Sequence, residues 1–299
     1  MKILLVGRTG QVGNELQRTL LPLGHLMALD RSMADLAKPA TVRGALEAHS
    51  PNVIVNAAAY TAVDKAEAFA DSARAINAES VAVMAEYAKA RDALLVHYST
   101  DYVFDGSKAT PYQPCDPTNP LGVYGSTKRQ GEEAIISSGC RFLIFRTSWV
   151  FSAHGSNFVK TILRLAKERD ALNIVADQHG APTSAELIAD VTSLAIAGYR
   201  QGLCKSGIYH LTASGETTWH EFACYIVARA AANGVALKAT RDHIQPISTD
   251  AYPLPAPRPK NSRLDTSTLS EALLLQLPDW TVHVNRTVDQ LTTMLEYSA

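Results

Sequence analysis

The sequence predicts an α/β fold: a Rossmann-like, doubly wound parallel sheet joined to a smaller mixed α/β substrate domain. Three observations predict it. Short apolar runs alternate with amphipathic stretches through the first half of the chain. A glycine turn, Gly7-Arg-Thr-Gly10-Gln-Val-Gly13, follows the first apolar run at once. Downstream, Tyr124 and Lys128 stand four positions apart in Leu-Gly-Val-Tyr-Gly-Ser-Thr-Lys.

The opening run Ile3-Leu-Leu-Val6 is apolar and unbroken, the pattern of a strand buried on both faces. Beyond the glycine turn, Val12, Leu16 and Leu20 recur at helical spacing. Strand, glycine turn and helix together form a dinucleotide cradle: glycine lets a diphosphate approach the main chain, and the helix N-terminus offers free N–H groups. The spacing is G-x-x-G-x-x-G rather than G-x-G-x-x-G. Gly7, Gly10, Gln11, Val12 and Gly13 are the first cofactor-binding candidates.

The second strand, Leu26-Met-Ala-Leu29, ends in Asp30, about 20 residues beyond the glycines, where an acid bonds ribose hydroxyls. That acid favours NADH, whereas Arg31 suits the 2′-phosphate of NADPH, so both cofactors stay open. Asp35 and Leu36 join the cofactor-binding candidates. The third strand, Val53-Ile-Val55, runs into Asn56-Ala57-Ala58-Ala59, whose small side chains let a flat ring lie on the backbone at a strand's carboxyl end. A helix is expected over 72–91, from Ile76, Val81, Met84 and Tyr87. The fourth strand, Ala93 to Tyr98, leads into Ser99-Thr100-Asp101. Residues 106–120 read as loop, 124–137 as helix, and Phe142-Leu-Ile-Phe145 as the fifth strand.

After about residue 150 the alternation loosens. Helices are expected over 157–169 and 186–197, and a strand at Ile208-Tyr-His-Leu211. A capped helix start is expected at Thr218-Trp-His-Glu221. The proline-rich run 252–259 must be extended loop. We therefore assign residues 1–150 to dinucleotide binding and 151–299 mainly to substrate binding, with some later segments returning to the Rossmann core.

Composition narrows the function classes. Net charge is −1 and no arginine-rich stripe occurs, so a nucleic-acid partner is not expected. No apolar stretch reaches a membrane-spanning length, and no signal peptide is visible, so a cytoplasmic protein without a membrane role is expected. Cys115, Cys140, Cys204 and Cys224 show no metal-ligand spacing and read as ordinary buried thiols.

On a helix, positions i and i+4 share a face, so Tyr124 and Lys128 can point into one cleft. A nearby ammonium lowers a tyrosine's pKa from about 10 and makes it a better proton carrier at neutral pH. Thr100 can bond a substrate carbonyl or orient the tyrosine. These are the catalytic candidates for moving a hydride to or from a carbonyl carbon, with Tyr124 and Lys128 also facing the cofactor.

With these residues in place, the chain resembles the extended short-chain dehydrogenases/reductases and, within them, the dTDP-4-dehydrorhamnose reductase family. The resemblance rests on Gly7 to Gly13, Val55-Asn-Ala-Ala-Ala59, Asp64-Lys-Ala-Glu67, His97-Tyr-Ser-Thr-Asp-Tyr-Val-Phe104 and Val123-Tyr-Gly-Ser-Thr-Lys128. It continues through Phe145-Arg-Thr-Ser-Trp-Val150, Asp177-Gln-His-Gly-Ala-Pro-Thr183, Tyr209-His-Leu211 and Arg258-Pro-Lys-Asn-Ser-Arg-Leu264. It implies NADPH or NADH as cofactor and a dTDP-bound 4-keto-6-deoxyhexose as substrate. Hydride would go to C4, Tyr124 would protonate the oxygen, and Lys128 would support Tyr124 and the ribose. Thr100, Asp101 and Trp149 would contact the sugar, and Arg258 is the candidate for the substrate diphosphate. Asp64 and Glu67 read as structural. The resemblance also implies a possible Mg²⁺-assisted homodimer, although no ligand set is visible and acids such as Glu15 and Asp190 read as solvated. Dehydratases of the wider family carry Asp-Glu after the threonine; here Tyr102 follows Asp101, which argues against water elimination. Two rivals stand beside the reductase: a catalytically inactive regulatory subunit on the same fold, and a reductase or epimerase of another sugar nucleotide. Turnover of reduced cofactor with the keto-sugar separates them.

Overall fold

The computed structural model describes residues 1–296. Its first half lays down β1 (Lys2–Val6), α1 (Gln11–Thr19), β2 (His25–Leu29), α2 (Pro39–His49), β3 (Val53–Asn56), α3 (Val63–Ala68), α4 (Ala70–Arg74), α5 (Ser80–Arg91), β4 (Leu94–Thr100), α6 (Val123–Ser138) and β5 (Arg141–Thr147). The second half adds β6 (Val150–Phe151), α7 (Phe158–Glu168), β7 (Leu172–Val175), β8 (His179–Gly180), β9 (Thr183–Ser184), α8 (Ala185–Arg200) and β10 (Gly207–His210). It ends with β11 (Thr217–Thr218), α9 (Trp219–Ala232), β12 (Ile244–Ile247), α10 (Ser267–Leu273) and α11 (Trp280–Glu296).

The central sheet has the order β10-β5-β4-β3-β1-β2, all parallel. Side chains alternate between its faces, so neighbours on one strand enter different cores. Ile3, Leu5, Val55, Val96 and Phe145 join the core formed with α1, α7, α8 and α9. Leu4, Val6, Ile54, Leu95 and Ile144 join the opposite core, under α2 and α5. The strand order reverses between β1 and β3, and their carboxyl ends therefore frame a ligand crevice.

The second half is not wholly separate from the sheet. Strand β10 pairs with β5, and α8 packs along α1, where Thr19 Oγ1 donates to Ala189 O at 3.0 Å. Three small sheets, β6-β9, β8-β11 and β7-β12, lie outside the central one. Four of their strands have two residues and the other two only four, too short to carry a readable period, which is why the sequence did not announce them. Thr218 forms the expected capping box with Glu221, and Asn157 caps α7 through Lys160 N–H.

The helix expected over 72–91 is interrupted. A π-helical turn at Ala75–Glu79 separates α4 from α5. It turns Asn77 inward, where its Oδ1 accepts from Tyr60 N–H at 2.8 Å and its Nδ2 donates to Thr127 Oγ1 at 3.1 Å. The residues of 252–259 form no helix or strand apart from the 3-10 turn just before them. Three cysteines are buried as expected, but Cys115 is exposed because it lies in the polar loop before α6. Among the described residues no helix is long and apolar enough to cross a membrane.

Candidate active site

The glycine turn is built to touch the end of β3. Gly7 has φ 91°, and a Cβ there would stand 2.7 Å from Ala58 N. A side chain is thus excluded twice, by angle and by space. Gly10 caps α1 without a side-chain hydrogen bond, which leaves the N–H groups of the helix's first turn free for a diphosphate. The fit to a dinucleotide is good at this point. Val12 packs against the core. Gln11 is committed to the second half of the chain, its Oε1 accepting from Asn157 Nδ2 at 2.9 Å and Ser152 Oγ at 3.2 Å.

At the ribose end, Asp30 accepts from Ser32 Oγ at 2.6 Å and from Arg8 Nη2 at 2.5 Å. The Ser32 hydroxyl first, then the Arg8 guanidinium, hold its carboxyl down at about 2. Arg31 turns aside to Asp35, 3.3 Å away. The cation beside Asp30 is therefore Arg8, which sequence reasoning passed over although it sits inside the glycine turn. Asp35 also accepts from Ala37 N–H at 3.1 Å, stabilising its own turn, and Leu36 is buried in the core. Ala57 N–H donates to Val6 O at 2.9 Å, so Ala57, Ala58 and Ala59 continue the crevice floor from β1.

Tyr124 stands in the first turn of α6. Burial pushes its hydroxyl up to about 12, opposed by a hydrogen bond with Thr100. Thr100 ends β4 and its Oγ1 donates to Asp101 Oδ1 at 2.9 Å. Burial raises Asp101 to about 6, with the hydroxyls of Ser262 and Thr100 acting against it. Lys128 lies one turn further along α6 and is buried. Its Nζ donates to Tyr98 O at 2.6 Å and meets His97 Nε2 at 3.1 Å. Burial lowers it to about 8.

Trp149 follows β5 in a left-handed conformation, φ 50°. Its indole stacks on Trp219 at 3.7 Å and lies over Gly180, where a Cβ would come within 2.7 Å of the ring. Trp219 also donates to Gln178 Oε1 at 3.2 Å. Trp219 and Gln178 line a cavity of about 650 Å³ together with Tyr102, Phe158, Tyr252 and Arg258, and Trp149 reaches it only through its stack on Trp219. Arg258 enters this wall already oriented: its Nη2 is 2.8 Å from Asp64 Oδ2, and its guanidinium stands 5.9 Å from the Tyr102 ring centre. The Tyr102 ring meets Tyr124 edge-on at 5.6 Å, joining the cavity to the catalytic candidates.

Asp64 and Glu67 are structural, as their sequence positions suggested, but in a way that reaches the site. Glu67 Oε1 accepts from Val123 N–H at 2.8 Å and so caps α6. Sequence reasoning missed Asn56 and His97 as site neighbours, and also Tyr102 and Trp219. A signal existed for the first two: each is a polar residue in an otherwise apolar strand, and they are register partners. The Mg²⁺ expectation finds no support. Asp190 is held by Arg18 at 3.0 Å, and among the described residues no group of three or more His, Cys, Asp or Glu side chains converges.

Comparison with known proteins matches residues 1–293 to the family model described as the RmlD substrate binding domain. The dTDP-4-dehydrorhamnose reductase of Burkholderia thailandensis is 50% identical over 297 residues, covering 97% of this chain and 99% of the relative. That of Salmonella typhimurium is 48% identical, covering 98% and 99%. Among solved structures, the Clostridium acetobutylicum dTDP-4-dehydrorhamnose reductase superimposes with a TM-score of 0.89 at 34% identity, covering 97% of this chain and 99% of that one. The Bacillus anthracis enzyme, solved in complex with NADP, gives 0.86 at 33% identity, with coverage of 97% and 99%.

Proposed function

The chain belongs to the RmlD family of dTDP-4-dehydrorhamnose reductases, and on that premise we propose how its own residues carry out the reduction. The enzyme is an NAD(P)H-dependent oxidoreductase. It reduces the C4 ketone of dTDP-4-dehydro-β-L-rhamnose to dTDP-β-L-rhamnose, the last step in making that sugar nucleotide.

The residues that would hold the dinucleotide are the glycine turn, the α1 N-terminus, Asp30 with Arg8, and Ala57 to Ala59. When bound, the reduced nicotinamide supplies the hydride that C4 accepts. Tyr124 donates its proton to the C4 oxygen as negative charge develops there. Its raised pKa keeps that proton in place at neutral pH, and stabilisation of the phenolate must come from its surroundings at the moment of transfer. Thr100 aligns the Tyr124 hydroxyl and contacts the same oxygen. Lys128 serves the ribose and Tyr124. Asp101 and Trp149 wall the sugar. Arg258 turns its fork to the diphosphate, with Asp64 holding the guanidinium in position. Residues 151–299 supply most of the substrate side and residues 1–150 the dinucleotide side. A cytoplasmic homodimer completes the reading.

The observation that carries this proposal is the placement of Tyr124 in the first turn of α6, edge-on to the Tyr102 ring, with Lys128 one helical turn on and its Nζ held on Tyr98 O of β4 at 2.6 Å. Absorbance at the reduced-nicotinamide band, with NADPH or NADH and enzymatically made keto-sugar nucleotide, tests it. Loss of absorbance with formation of dTDP-rhamnose is expected. Intact binding of both ligands without turnover would overturn the residue assignments in favour of a binding subunit.

A further inference from the structure

Around Lys128 three buried side chains form a run of hydrogen bonds. Asn56 ends β3, His97 lies beside it on β4, and Lys128 reaches in from α6; their exposures are 1%, 0% and 2%. Asn56 Oδ1 accepts from Ala58 N–H at 3.2 Å. That bond fixes the amide, so Nδ2 faces His97 Nδ1 at 3.1 Å and donates to it. A neutral imidazole carries one N–H and one bare nitrogen. With Nδ1 accepting, the proton is on Nε2, which points at Lys128 Nζ 3.1 Å away. An ammonium has only donors and cannot receive that proton. A neutral amine can: it accepts from His97 Nε2–H and donates to Tyr98 O at 2.6 Å.

We propose that His97 is a positioning residue that ties the charge of Lys128 to the cofactor crevice, holding the lysine as a neutral amine through Nε2–H and changing tautomer when the lysine becomes an ammonium. In the charged state Nε2 must be bare and accept from Lys128, so Nδ1 carries the proton. The Asn56 amide must then turn over to accept it with Oδ1, which releases Ala58 N–H at the crevice floor. The two states differ by one proton. On going to the neutral state Lys128 passes a proton to Nε2, and the Nδ1 proton is lost to solvent. This rests on the reductase reading, in which Lys128 serves ribose and tyrosine.

The surrounding charges fit. Burial, then the neighbouring lysine, push the His97 imidazolium well below its ordinary range, so the ring stays neutral and only its tautomer changes. Burial lowers Lys128 as well, and Glu132, one turn along α6, opposes that. Glu132 is itself forked by Arg146 of β5 at 2.7 and 2.9 Å. On the crevice side Tyr124 shares α6 and Asp101 follows β4. Asn77, from the π-helical turn, and Asn56 are uncharged.

The test is ¹⁵N NMR of histidine-labelled full-length protein, with His97 assigned through His97→Gln. Between pH 6.5 and 9.5 the His97 pair is expected to exchange protonated Nδ1 for protonated Nε2, with a midpoint near 8, and Lys128→Met is expected to abolish the change. In parallel, the pH dependence of NADPH affinity is measured by fluorescence for wild type, His97→Gln and His97→Phe. Gln can present its oxygen to an ammonium, so its alkaline loss of affinity moves to higher pH; Phe cannot, and its loss moves lower. Wild type is expected to lose roughly 10-fold per pH unit in ammonium fraction above the midpoint. One fixed tautomer across the range, or variants with an unshifted profile, overturns the proposal. Keto-sugar turnover, measured separately on wild type, reports on the reductase reading alone. If a variant does not fold, the wild-type and Lys128→Met spectra decide.

Discussion

Tyr124 is half-buried and keeps its proton at neutral pH, and its surroundings act on that proton in opposite directions. Desolvation of the hydroxyl keeps the proton on the oxygen, Thr100 acts against it, and the Tyr102 ring stands edge-on beside the phenol. Tyr124→Phe removes the proton and little else, because the ring still fills the same space. We expect kcat to fall by ~10²–10⁴, the usual worth of a positioned general acid, while NADPH affinity stays within about twofold. A near-normal kcat in single-turnover measurements would remove Tyr124 from its role. The residue scale is also where the sequence was most legible. The glycines, Tyr124, Lys128 and Thr100 could be named because their chemistry is carried by identity and spacing. Asn56 and His97 showed only as polar residues in apolar strands, and their pairing waits on a register not written in a single strand; Arg8 was passed over because its partner Asp30 stands 22 residues away.

At the scale of elements, Tyr124 is only as well placed as the start of α6. Gly122 precedes that helix without offering a side-chain cap, and Glu67 from α3 fills the vacancy by accepting from Val123 N–H. The same short helix carries Asp64, which holds Arg258 and accepts from Ala256 N–H. α3 therefore ties α6 to the proline-rich loop that lines the cavity. Glu67→Ala should cost about 0.5–2 kcal/mol of stability, as loss of a helix cap does, and should lower kcat more than it raises the KM for NADPH. Glu67→Gln keeps an acceptor oxygen and should restore most of both. If Ala and Gln behave alike in thermal melts and kinetics, the cap is not what places Tyr124. The π-helical turn before α5 belongs to this scale too. Apolar spacing predicted one uninterrupted helix, and nothing in that spacing distinguishes a helix with an extra residue in one turn. The reason for the bulge lies in Asn77, whose side chain bonds Tyr60 in the loop after β3 and Thr127 of α6, partners that apolar spacing does not reveal.

At the scale of the whole molecule, the fold buries an amine where water cannot reach it, and the global stability must register that choice. Lys128 is lowered to about 8, chiefly by burial, against about 10.4 in an unfolded chain. Between those values the unfolded chain binds the proton that the native protein has released, so stability rises with pH across this window. Below about 8 both states are protonated and the native state bears the full cost of a buried ammonium. The difference corresponds to ~3 kcal/mol as an order of magnitude. Other groups act oppositely: burial raises Cys140, Cys204 and Cys224, and also Tyr98 and Tyr102, so each favours the native state less as pH climbs past its unfolded value. Those contributions are shared by wild type and Lys128→Met and cancel in their difference. The Met variant, similar in length and without charge, should therefore be the more stable protein at pH 7. Its advantage should shrink steadily between pH 8 and 10, by up to ~3 kcal/mol in denaturant midpoints converted with a common m-value. An advantage that stays constant from pH 7 to 10 would mean that Lys128 keeps an ordinary pKa in the folded protein. Lys128 would then be solvated by the protein as well as by water, and the fold would bear no cost for holding it.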